Sequence, residues 1–154
     1  MLRILLNNKL KIALLFICIL LFAAIRFYEE ILFYDPFLEY FKADYLNLPF
    51  PKFEVSKLFF SMHARYFLNT IVSLAIIFIL FKDLELAKLA AILYLIFFII
   101  LISAFFALLL FSDESNNFIL FYIRRFLIQP LFVLLFIPAF YYQKQISASG
   151  KRPA

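Results

Sequence analysis

The sequence predicts an all-α membrane protein: four transmembrane helices, with an amphipathic interfacial helix in the first extracytoplasmic loop. Three observations carry that reading. Hydrophobic residues make up 67% of the 154 residues and charged ones 16%, at a mean hydropathy of +1.00, more apolar surface than a soluble domain of this length can bury. The apolar residues gather in long runs of the length a bilayer demands, about 17–25 residues each. Between the first two runs lies the one sizeable polar region, with six acidic and four basic residues over 26–57.

Taken in order, residues 1–11 form a basic leader holding Arg3, Lys9 and Lys11. An apolar stretch follows directly, and the first span is placed at about 10–26. It is read as uncleaved, because neither Ala23 nor Ala24 has a small residue two positions before it, as a signal-peptide cleavage site requires. In the loop at 27–56, Asp35-Pro36 has the form of a helix start, with Asp as N-cap and Pro at the first helical position. Phe37, Leu38, Phe41 and Tyr45 recur from there at near-helical spacing, opposite Glu39, Lys42 and Asp44. That pattern predicts a helix lying in the interface plane, ended by the prolines of Leu48-Pro-Phe-Pro51.

The second span is placed at about 57–81. In it Ser61, Arg65, Asn69 and Ser73 are four apart and stack on one face, which should turn toward other helices. The third, at about 87–111, is nearly featureless and reads as scaffold, with Ser103 and Ala107 as a weak small-residue contact. A fourth at about 118–142 completes a single membrane domain over 1–142. The polar, basic tail at 143–154 reads as disordered and cytoplasmic. With 24 Phe, 9 Tyr and no Trp, the interfacial aromatic belt falls to tyrosine.

Charge sets the orientation. The leader, the turn at 82–88 and the tail carry three, two and three basic residues, so that side is cytoplasmic, with both termini on it. The net charge of +5 does not indicate nucleic acid, because the basic residues are scattered among apolar runs and no binding motif is present. A single cysteine, Cys18, excludes an internal disulfide and a multi-cysteine metal site. No cofactor, metal ligand set or catalytic residue is assigned.

The candidate site is built on arginine. Arg65 and Arg124 lie about six or seven residues inside the second and fourth spans, roughly 10 Å deep at ~1.5 Å per residue. An arginine at a bilayer centre costs ~3 kcal/mol or more on insertion scales. Each side chain can snorkel to the interface, pair internally with Glu29, Glu30, Asp113 or Glu114, or bind a carboxylate or phosphate in bidentate fashion. Arg124 and Arg125 project about 100° apart, so at least one should face inward. Arg125 is the choice, flanked at three and four residues by Tyr122 and Gln129. The site is therefore Arg65, Arg124 and Arg125, supported by Asn69, Gln129 and Tyr122, with a bend at Pro130 to open a pocket at that depth. A thiol enzyme built on Cys18 and His63 is the minor alternative, since a lone Cys among bulky apolar residues has an unactivated thiol.

The stretches Phe33-Tyr-Asp-Pro-Phe-Leu-Glu-Tyr-Phe-Lys42 with Leu48-Pro49, and Arg124-Arg-Phe-Leu-Ile-Gln-Pro-Leu-Phe-Val-Leu-Leu-Phe-Ile-Pro-Ala-Phe-Tyr-Tyr142, resemble the exosortase F system-associated membrane proteins. The likeness runs from the first span to Tyr142. It implies a flavobacterial inner-membrane protein encoded beside an exosortase, a membrane-embedded cysteine transpeptidase that processes sorting signals of exported proteins. The exosortase signature is not reproduced, since Cys18 has bulky neighbours and His63 lies two residues from Arg65. The expected role is accessory or assembly factor, with an exosortase, its cargo and membrane lipids as partners. The alternative is an anionic-lipid-binding or lipid-transfer bundle.

Overall fold

A computed structural model describes residues 8–43, 45–46, 48–111 and 116–150, and every regular element among them is a helix. The elements are α1 (Lys9–Phe27), α2 (Glu29–Leu32), α3 (Phe37–Tyr40), α4 (Val55–Phe81), α5 (Leu84–Phe111), α6 (Asn117–Ile128) and α7 (Leu131–Ser149). Helices α1, α4 and α5 are each long and apolar enough to cross a membrane. The pair α6 and α7 meets the same test jointly but is bent by 65° at its break. The class is thus that of a multi-pass helical membrane protein.

Helix α4 is the hub, touching α1, α5, α6 and α7. Its polar stripe makes this possible. Ser61, Arg65, Asn69 and Ser73 are all buried, and the small or short side chains among them let neighbouring backbones approach where Leu or Phe would hold them apart. Helix α5 packs through Ala90, Tyr94, Phe98, Ile102, Phe105 and Leu109, a three-and-four spacing that makes one continuous face. Ser103 and Ala107 point away from that face and are exposed, so the small-residue contact expected there does not form. Helix α1 is peripheral: it buries only Cys18 and packs along α4.

The two-residue connection Lys82-Asp83 is tighter than the seven-residue turn expected. Lys82 adopts the left-handed conformation at φ 48° that ends α4, and its N–H donates to Phe78 O at 2.8 Å. Asp83 Oδ1 then accepts from Glu85 N at 3.0 Å and Leu86 N at 3.3 Å, capping α5. The orphan carbonyls at the end of α4 are satisfied by cations from neighbouring helices. Lys11 Nζ of α1 donates to Leu80 O at 2.8 Å, and Lys144 Nζ of α7 to Phe81 O at 3.1 Å. Positive charge at a helix C-terminus is favourable, so these lysines tie three helices together at what is here called the lysine end.

The fourth expected run is two helices. Pro130 has no N–H to continue α6, Gln129 is extended, and α7 restarts at Leu131. Asn69 of α4 stitches the break, its Nδ2 donating to the freed carbonyl of Ile128 at 3.0 Å. Pro138, by contrast, sits inside α7 without interrupting it. Replacing Asn69 by Leu keeps the branched outline but strands a buried carbonyl, and should cost about 1–3 kcal/mol; equilibrium unfolding in mixed micelles checks this. The residues expected as a disordered tail from 143 continue α7 to Ser149. Gln145 Nε2 donates to Tyr141 OH at 2.8 Å, and with the Lys144 contact it supports the extra turns.

At the opposite, loop end the chain between α1 and α4 folds into the bundle. The expected interfacial helix is reduced to the single turn α3, whose Phe37, Leu38 and Tyr40 are buried. Asp35 does not cap it: Pro36 takes the N-cap position and no side chain bonds there. Beyond α3 the chain turns, because Tyr40 OH lies 2.9 Å from both Tyr45 O and Leu48 O. Asn117 Nδ2 at the start of α6 joins the same knot, 3.0 Å from Tyr40 OH and 3.1 Å from Tyr45 O. Residues 49–54 form no regular element, as two prolines favour, and Glu54 is extended where α4 begins. Tyrosine is only partly a surface belt: Tyr66 and Tyr94 are buried in the bundle, and Tyr66 OH donates to Tyr94 O at 2.7 Å.

Candidate functional site

The loop end positions five charged side chains in one alternating series. Arg26, in the last turn of α1, donates through Nη1 to Glu29 Oε2 at 2.9 Å. The same oxygen accepts from Arg65 Nη2. Arg65 Nη1 stands 3.5 Å from Asp35 Oδ2, which also accepts from Arg124 Nη2. Arg124 Nε adds a contact of 3.4 Å to Asp35 Oδ1. The order is cation, anion, cation, anion, cation, so each carboxylate lies between two guanidinium groups.

The inner members are out of solvent. The side chains of Arg65, Asp35 and Arg124 are 2%, 3% and 5% exposed, which places them where an unpaired charge would be severely penalised. Aromatic rings complete the enclosure. The Arg65 guanidinium lies over the Phe33 ring at 5.6 Å, and that of Arg124 over Phe41 at 5.5 Å, within reach of a cation–π attraction. Arg65 Nε has no hydrogen-bond partner among the described residues.

Of the alternatives open in the sequence, internal pairing therefore accounts for Arg65 and Arg124. Glu29 is a partner as considered; Glu30 pairs instead with Lys42 at 3.0 Å, on the exposed surface. Asp113 and Glu114 lie outside the described residues. Asp35, expected only as a helix cap, is the central anion. The sequence carries one signal for it: Asp35 stands between Phe33-Tyr34 and Pro36-Phe37-Leu38, and an acid surrounded by such residues is carried inward with them.

The inward-facing arginine of the adjacent pair is Arg124, not Arg125. The buried face of α6 consists of Asn117, Leu120, Arg124, Leu127 and Ile128, spaced three, four, three and one, a single stripe along the helix. Arg125 shares the other face with Tyr122, which is exposed, and Gln129, which is half-buried. The polar trio expected to turn inward is real as a set but looks outward. Asn69 belongs to neither group, since it holds the α6–α7 break.

Beside the ion series lies a cleft of about 190 Å³ lined by Arg26, Leu38, Phe41, Lys42, Phe121, Arg124, Arg125, Ile128 and Gln129. It sits at the level of the helix break, as a bend at Pro130 was expected to provide. Among the described residues that line it, four are cationic and none is acidic. Gln129 Oε1 accepts from Arg125 Nε at 3.0 Å, which orients the guanidinium while leaving its terminal nitrogens clear of any carboxylate among the described residues. A separate, wider depression on the other side of Leu38 is lined by Glu30, Asp35 and Glu39, so the loop divides a cationic face from an acidic one.

Cys18 and His63 do not assemble into a thiol site. Cys18 is buried in the apolar core, whereas a working nucleophile must be reachable as thiolate. The His63 ring lies 4.0 Å from Phe59 and 4.6 Å from Phe98, and its Nδ1 is 2.8 Å from Phe59 O. Among the described residues no group of three or more His, Cys, Asp or Glu side chains is placed to hold a metal ion. Comparison of the chain with protein-family models, with curated proteins and with solved structures finds no match.

Proposed function

We propose that the chain is a non-catalytic accessory or assembly protein of an exosortase-type protein-sorting system. It sits in a bacterial inner membrane with four spans, α6 and α7 together forming the fourth, and with both termini in the cytoplasm. Its loop end then faces outward and offers the cationic cleft to an acidic group on the partner, on a sorting signal or on a lipid headgroup. The resemblance of the two quoted stretches supports the system, and the lysine end supports the orientation, since Lys11, Lys82 and Lys144 gather at the C-terminus of α4. The observation that carries the binding role is Arg125, oriented by Gln129 into a cleft that has no acidic residue among the described ones. Arg65, Arg124 and Asn69 are its scaffold rather than its contact surface.

The test is recovery of partners from native membranes in mild detergent, with Arg125→Ala alongside the wild type. An exosortase should accompany the wild type and fall about tenfold with the variant, the loss expected for a charge-assisted contact, while the amount of inserted protein stays unchanged. Equal recovery would remove the cleft from the partner contact, and recovery of no exosortase with the wild type would remove the sorting system. A bundle that binds or transfers anionic lipid without an exosortase is the second reading. Leu38, Phe41, Phe121 and Ile128 in the cleft wall favour it.

A further inference from the structure

We infer that the occupant of the cationic cleft is the phosphate of an anionic phospholipid, with its acyl chains leaving along the exposed face of α6. The inference rests on the reading of the cleft as an anion site given above. Three observations lead to it. Charge is the first: among the described residues Arg26, Lys42, Arg65 and Arg124 pair with Glu29, Glu30 and Asp35, and Arg125 lines the same cleft without a carboxylate, so five cations meet three anions and two positive charges remain. In a low-dielectric layer such an excess attracts a counter-anion strongly.

Geometry is the second. The pairs Arg26–Glu29 and Lys42–Glu30 have cation side chains 56% and 59% exposed, so both cations can reorient toward a new oxygen at little cost. Arg125 already presents its terminal nitrogens, in the fork that matches phosphate. The third is the wall. Leu38, Phe41, Phe121 and Ile128 are apolar, and Phe118, Ile119 and Tyr122 continue an exposed apolar strip along α6. A peptide carboxylate would bring backbone amides against that wall without hydrogen-bond partners, a penalty of a few kcal/mol per group. An acyl chain brings none. The volume of about 190 Å³ is below the ~300 Å³ of ordinary small-molecule sites and suits a headgroup rather than a folded segment.

The test uses the full chain, stripped of lipid in neutral detergent and then given phosphatidylglycerol or phosphatidylcholine, with the retained lipid read by native mass spectrometry. Wild type should retain phosphatidylglycerol about tenfold more than phosphatidylcholine. Arg125→Ala and Lys42→Ala should each reduce that preference, and both side chains are exposed, so neither change threatens the fold. Equal retention of the two lipids, or an unchanged preference in both variants, overturns the inference. So does displacement of phosphatidylglycerol by equimolar inorganic phosphate, which would make this a soluble-anion site. If Arg125→Ala loses the exosortase without altering lipid retention, the lipid identity falls and the cleft reading stands. If it alters neither, both fall.

Discussion

Replacing Asp35 with Ala is expected to destabilise the fold by about 3–5 kcal/mol, the range for breaking a buried ion pair by removing one partner. Asp35 accepts from both Arg65 and Arg124, and their side chains are 2% and 5% exposed, so its loss leaves two guanidinium groups facing each other away from water. Removing one of those cations as well should return much of the stability. In Asp35→Ala with Arg124→Leu, the remaining series is Arg26, Glu29 and Arg65, which still alternates in sign. Unfolding in mixed micelles tests this through a double-mutant cycle. A double variant as unstable as the sum of the two singles would mean that the pair does not interact across the loop. Because an apolar replacement of a buried ion pair is often close to neutral, the ion series fixes how the loop is seated more than it adds net stability.

Much of this arrangement was legible from residue pattern. The apolar runs place α1, α4 and α5 within a few residues of their observed ends, since a long apolar run has few alternatives to a helix when lipid supplies no hydrogen bonds. The inward face of α4 followed from Ser61, Arg65, Asn69 and Ser73 at four-residue spacing. The loop was not legible, because a local pattern there competes with tertiary contacts. Asp35-Pro36 has the form of a helix cap, but a carboxylate gains more from two buried arginines than from one N–H. Phe37 and Leu38, which with Phe41 and Tyr45 would mark an amphipathic surface helix, join the buried Tyr40 in a plug instead once a bundle mouth is available to receive them. The choice between Arg124 and Arg125 failed for a related reason. Polar neighbours point to Arg125, whereas the apolar spacing of Leu120, Leu127 and Ile128 puts Arg124 on the buried face.

Phe37→Ala should have a comparable effect by a different route. Phe37 is fully buried and meets Phe53 at 5.5 Å, Phe50 at 6.0 Å and Phe105 of α5 at 6.3 Å, so it is the side chain that seats the loop in the helices. Truncating a buried Phe typically costs about 3–5 kcal/mol, through lost transfer energy and the cavity left behind. The loss should be local before it is global, because Asp35 is two residues away and the loop carries both carboxylates of the buried series. Trypsin cleavage at the exposed Lys42 and Lys52 reads that opening, since proteolysis tracks the population of the opened form. Cleavage at both should accelerate in Phe37→Ala and in Asp35→Ala, with Lys88 in α5 as the reference site. Acceleration in Asp35→Ala alone would mean that ion pairing holds the loop by itself. Acceleration in both singles, with the double variant adding less than their sum, would mean that aromatic seating and charge pairing form one cooperative unit.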